Sequence, residues 1–82
     1  MFITNNKSAL NNVSSQTQRE HYLNIMKNCE QYTCKPNGNQ HWLCGNWILT
    51  QWKECEHTHP FESWNCPSES SARSAFEEHM HW

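Results

Sequence analysis

The sequence predicts a small single α+β domain, a three-stranded antiparallel meander with an N-terminal and a C-terminal helix, stapled by zinc or by disulfides. Three observations predict it. The 82 residues hold one Val, three Ile and four Leu, against five Trp, five Cys and six His. Two short turn signals, Pro36-Asn37-Gly38 and Gly45-Asn46, separate runs rich in β formers. A helix-start pattern precedes those runs, and a stripe of apolar residues at helical spacing follows them. A chain this short and this poor in aliphatic side chains gains little from burial alone, so a metal or disulfide cross-link is expected.

Residues 1–16 are rich in Asn and Ser and show no sustained period, which reads as a flexible arm. Residues 17–82 are then one Cys- and His-rich domain. Thr17-Gln18-Arg19-Glu20 is a capping box, with Thr17 as the expected cap of a helix over 17–28. Tyr22, Leu23, Ile25 and Met26 form its core-facing stripe. His21 lies beside the stripe and is expected to be solvated.

The meander is expected over residues 31–53. If Asn37-Gly38 is a two-residue loop, Cys34 lies opposite His41 and Tyr32 opposite Leu43. If Gly45-Asn46 is another, Trp42 lies opposite Leu49 and Leu43 opposite Ile48. One face then holds Tyr32, Cys34, His41, Leu43 and Ile48, and the other Trp42, Cys44, Trp47 and Leu49. Both faces carry apolar bulk, so each needs a cover. Residues 54–67 are broken by Pro60 and Pro67 and are expected to be irregular, with Phe61 and Trp64 folded back on the sheet. A second helix is expected over 70–80, capped by Ser70 or Ser71, with Ala72, Ala75, Phe76 and Met80 on one side.

The cross-link has a specific candidate. Cys29 and Cys34 are followed after twenty-two residues by His57 and His59. Two thiolates and two imidazoles make a complete tetrahedral zinc set. Zinc there would hold the return of the chain beside the start of the meander and replace a missing core. Other sets compete: Cys44, Cys55, His57 and Cys66; or Cys34 with a cross-strand His41. His79 and His81 form a further pair, expected to be exposed at the chain end. A disulfide framework is the alternative staple, although the odd Cys count leaves one thiol over and Cys34 and Cys44 face opposite sides in the register above.

The four-residue and twenty-two-residue gaps ending in His-x-His resemble the zinc frame of the WRKY, FLYWCH and glial-cells-missing superfamily. Glu56-His57-Thr58-His59-Pro60 is similar to the Glu-His-Asn-His-Pro ending of FLYWCH-like fingers, and Trp47-Ile48-Leu49-Thr50 resembles their penultimate strand. The resemblance covers residues 29–60. It implies zinc on Cys29, Cys34, His57 and His59, and a small sheet that often reads DNA. The WRKYGQK strand that does the reading is absent upstream of Cys29, where a capped helix stands, and Lys35 and Lys53 are the meander's cations.

Composition also excludes. Net charge is −2 with His neutral, whereas phosphate binding shows as a basic excess. No run is long enough to span a membrane. No leader-like apolar stretch follows Met1, so if Met1 is the true start the expected compartment is intracellular. Asp is absent, and no nucleophile motif accompanies the Cys and His residues, so no enzyme is expected. Trp42, Trp47, Trp52 and Trp64 are expected to replace core aliphatics rather than to stack on bases or sugars. The expected function is a non-enzymatic, zinc-stabilised binding module for an unknown protein partner, with nucleic acid a weaker candidate. The alternatives are a secreted, disulfide-stapled interaction protein, and a recently arisen or artificial reading frame with no selected activity.

Overall fold

Residues 10–11, 13–53 and 60–81 are described in the computed structural model of the chain. Helix α1 spans Gln16–Asn28 and starts at Ser15, whose hydroxyl accepts from the Gln18 amide at 3.3 Å. The expected cap at Thr17 lies inside the helix. Ser15 wins because Ser15-Gln16-Thr17-Gln18 also has the spacing of a capping box, and the chain ahead of it is tied down. The Arg19 guanidinium donates twice to the Val13 carbonyl, at 3.0 and 3.3 Å. That bond turns Val13 inward. Val13 and Leu10 are buried in the core, although they belong to the stretch read as an arm.

Four strands follow: β1 Gln31–Cys34, β2 Gln40–Cys44, β3 Trp47–Gln51 and β4 Phe61–Asn65. They form one antiparallel sheet in the order β1-β2-β3-β4. Helix α2, Glu69–His79, closes the described chain. The sheet thus has four strands, not three. Phe61 to Asn65 was expected to be irregular because prolines flank it, but Pro60 stands just before the strand and Pro67 two residues after it. Neither ring interrupts the ladder. The Trp52 amide extends the pairing of β3 and β4 by donating to the Pro60 carbonyl at 2.8 Å.

The turn at Gly45-Asn46 has two residues, with Cys44 opposite Trp47. Gly45 has φ +59 and Asn46 has no positive φ, as a type II′ hairpin requires. The turn at Pro36-Asn37-Gly38 is one residue longer than expected. Gly38 N donates to Lys35 O, Lys35 N donates to Asn39 O, and Gly38 has φ +97, which together make a three-residue loop with a glycine bulge. The extra residue slips β1 by one position. Tyr32 lies opposite Trp42, Thr33 opposite His41 and Cys34 opposite Gln40. Because side chains alternate along a strand, the slip moves Tyr32 and Cys34 to the other face of the sheet from the one expected.

One face packs on α1. Its core joins Leu10, Val13, Tyr22, Ile25, Met26, Trp42, Leu49 and Phe61. Tyr22 stacks on Phe61 with ring centroids 5.3 Å apart. His21 is half-buried, its ring edge-on to Trp47 at 4.5 Å, rather than fully solvated. The other face packs on α2 through Leu43, Ile48, Ala72 and Phe76. The α2 cap is Ser68, which accepts from the Ser71 amide at 3.1 Å, two or three residues ahead of the expected Ser70 or Ser71. Glu69 in the first turn suits the positive end of the helix. At its far end the Lys35 ammonium donates to the Met80 carbonyl and serves the negative end.

Candidate functional site

Three groupings carry chemistry. The first is the set of thiols. Cys29, Cys34, Cys44 and Cys66 are free. Cys29 follows α1 and lies at the Cys44 end of the sheet, where Glu30 N donates to Leu43 O. Cys34 is the last residue of β1, at the opposite end, opposite Gln40 in the cross-strand row that continues through Gln51 to Phe61. At about 3.3 Å per strand residue, the run from Gln31 to Cys34 alone spans roughly 10 Å, whereas two thiolates on one zinc stand within about 4 Å of each other. Cys29 and Cys34 are therefore not brought together while β1 is formed. His57 and His59 lie outside the described residues, as does Cys55. The strand ends that flank them, Gln51 and Phe61, are at the Cys34 end of the sheet. Among the described residues no group of three or more His, Cys, Asp or Glu could hold a metal ion.

The thiols have distinct surroundings. Burial raises the Cys44 thiol above its ordinary range, and the nearby Glu30 carboxylate and Cys29 add to the effect. Burial also raises the Tyr32 phenol, with Cys34 next in effect. The Tyr32 hydroxyl donates to Gln40 Oε1 at 2.8 Å. Cys34 is exposed on the Tyr32 side of the sheet, while His41 is fully buried on the other, so they do not form the cross-strand pair expected from the two-residue loop. The one-residue slip is the reason.

The second grouping is a buried histidine pair between the sheet and α2. His41 is 0% exposed and His79 is 6% exposed, with ring centroids 6.0 Å apart. His41 Nδ1 shares a hydrogen bond of 2.8 Å with the Thr50 hydroxyl, itself fully buried. The His79 ring stands edge-on to Trp64 at 4.7 Å. Burial lowers the His41 pKa to about 4, helped by His79 and then by Lys35. Burial also lowers His79, against the pull of the Glu78 carboxylate.

His79 was expected to be exposed with His81. Only His81 is exposed. The signal was in the spacing: Ala72, Phe76 and His79 stand at i, i+4 and i+7, so the imidazole extends the apolar stripe. Placing His41 beside it needed the correct faces of β2 and β3, which the alternation of Leu43, Ile48 and Thr50 also carries.

The third grouping is a groove of about 710 Å³ between β1 and the last turns of α2. Thr33, Phe76, Glu77, Met80 and His81 line it with Tyr32. Met80 is 39% exposed, which puts an apolar side chain in contact with water at the groove. Among the described residues β1 pairs on one side only. No family model, no curated protein and no solved structure matches the chain.

Proposed function

We propose that this chain is a non-enzymatic binding module that takes an extended segment of a protein partner along β1. The observation that carries the reading is the edge itself. Gln31, Tyr32, Thr33 and Cys34 include no charge and no proline, the usual guards of a strand edge. Backbone groups on such an edge can pair with an added strand, and a flanking groove can sort its alternate side chains. Phe76 and Met80 offer an apolar floor there, and Glu77 favours a cationic neighbour on the ligand. The absence of Asp and the separation of Cys34 from His41 support a binding role over nucleophilic chemistry.

The test is a selection of random displayed peptides on the full chain, followed by amide NMR mapping. Binding peptides are expected to shift Gln31–Cys34 and the C-terminal turns of α2, and Thr33→Lys or Met80→Glu should weaken them at least tenfold. Peptides that map to another surface, or that ignore both substitutions, would refute the reading.

A zinc staple on Cys29, Cys34, His57 and His59 is the second reading. It is favoured by the position of Cys34 at the sheet end where Gln51 closes β3 and Phe61 opens β4, and opposed by Cys29 at the other end. Native mass spectrometry with and without a chelator decides it. One zinc per chain, lost together with the fold, would mean that the start of β1 rearranges around the ion.

A further inference from the structure

We propose that Cys29 and Cys44 are the two halves of a reversible disulfide, which on oxidation ties the end of α1 to the end of β2. The placement of the two thiols carries the proposal. Cys29 is the residue at which α1 ends, and Cys44 is the last residue of β2. Both are free, half-buried and packed against the same α1-face core. They are close enough for Cys29 to act electrostatically on the Cys44 thiol.

The backbone limits their separation. The amide that follows Cys29 donates to the carbonyl that precedes Cys44, Glu30 N to Leu43 O at 2.7 Å. Ordinary bond lengths on either side of that contact hold the two Cα atoms within about 8 Å of each other. A disulfide spans about 4.4 to 6.8 Å between Cα atoms. The same corner is fastened a second time, by the Gly45 amide donating to Glu30 Oε1 at 3.1 Å. Cys29 has extended backbone, φ −62 and ψ 141, and lies between the helix and the strand, where a small adjustment leaves the β1–β2 ladder intact. The other described thiols are placed elsewhere. Cys34 ends β1 at the far end of the sheet, and Cys66 packs on the α2-face cluster.

The oxidant is a low-molecular-weight disulfide of the glutathione class. One protein thiol gives up its proton, and the thiolate attacks a sulfur of the small disulfide. A mixed disulfide forms, and the first small thiolate leaves and takes up a proton. The second protein thiolate then attacks the protein sulfur of the mixed disulfide and expels the second small thiolate, which is protonated in turn. The cysteine pair loses two electrons and two protons, and the small disulfide gains both. The bridge closes a loop of about fifteen residues, and a cross-link over such a loop shifts the unfolding equilibrium on the order of a hundredfold toward the folded state. It stands whether or not β1 takes a peptide.

The test equilibrates the full chain, and a Cys34→Ser chain that lacks the exposed thiol, across a series of reduced and oxidised glutathione. Intact mass and disulfide mapping are expected to show the loss of two hydrogens and a Cys29–Cys44 linkage in both chains, reversed by dithiothreitol. Urea unfolding of the oxidised chain should give an equilibrium constant about a hundredfold below that of the reduced chain. Cys44→Ala should abolish the linkage. If that variant fails to fold, Cys29→Ser, at a position outside both the helix and the strand, removes the same linkage. Cys29 and Cys44 still free at the oxidising end of the series would overturn the proposal. So would linkage of either to another cysteine, glutathione adducts on both in place of a bridge, or a bridge that forms only in urea.

Discussion

The two faces of the sheet are built on different principles. The α1 face gathers Trp42, Leu49, Phe61, Ile25, Met26 and Val13 into a layer that, among the described residues, holds no fully buried imidazole. The α2 face has four apolar residues in its buried cluster and shares its layer with His41, Thr50 and His79. One face is held mainly by apolar area. The other is held by a smaller apolar cluster together with buried polar groups, among them the hydrogen-bonded His41 and Thr50. A protein short of aliphatic residues can cover both faces of a sheet, but here the two covers differ in how much polar material they bury.

The sharpest way to break the comparison is to truncate one anchor on each face. Trp42→Ala removes the largest fully buried side chain and is expected to cost about 3–5 kcal/mol, enough to unfold most small domains. Phe76→Ala is expected to cost about 3 kcal/mol, and to release α2 while α1 stays docked. Urea unfolding followed by α1 and α2 amide signals distinguishes the two. If both variants lose both helices together, the faces are not independent.

A smaller effect probes the polar layer alone. Thr50→Val keeps the shape but deletes the hydroxyl that His41 Nδ1 uses, and should destabilise the chain by about 1–2 kcal/mol at pH 7.5. The same denaturation curve measures it. The smallest contrast is between the caps: Ser15→Ala and Ser68→Ala should each cost about 1 kcal/mol. The second should lower only α2 protection if the faces unfold separately, which hydrogen exchange reads directly.

Sequence patterns carried the two helices, the two turns and the pairing of β2 with β3, because each rests on local signals. Tyr22, Ile25 and Met26 are buried as their stripe predicts, and Leu43 lies opposite Ile48. The caps were displaced toward the N-terminus in both helices because Ser15 and Ser68 offer the same hydroxyl earlier in the chain. β1 was misplaced by a single loop residue, and one residue is enough to exchange faces. β4 was hidden by its flanking prolines. Of the site, Cys34 and His41 were separated by that same slip, and His79 was obscured by its nearness to the end of the chain. What decides its burial is the docking of α2 on Leu43 and Ile48, a contact between distant parts of the sequence.

Strand order has a kinetic consequence. Every neighbouring pair of strands is also consecutive along the chain, and two of the three links are the short turns at Gly38 and Gly45. Closing links of this kind sacrifices little chain entropy, and local topologies of this sort fold quickly. During synthesis α1 and the first three strands emerge before Glu69–His79. The side of the sheet that carries Leu43 and Ile48 therefore waits for α2, and is the last of the two faces to gain its helix.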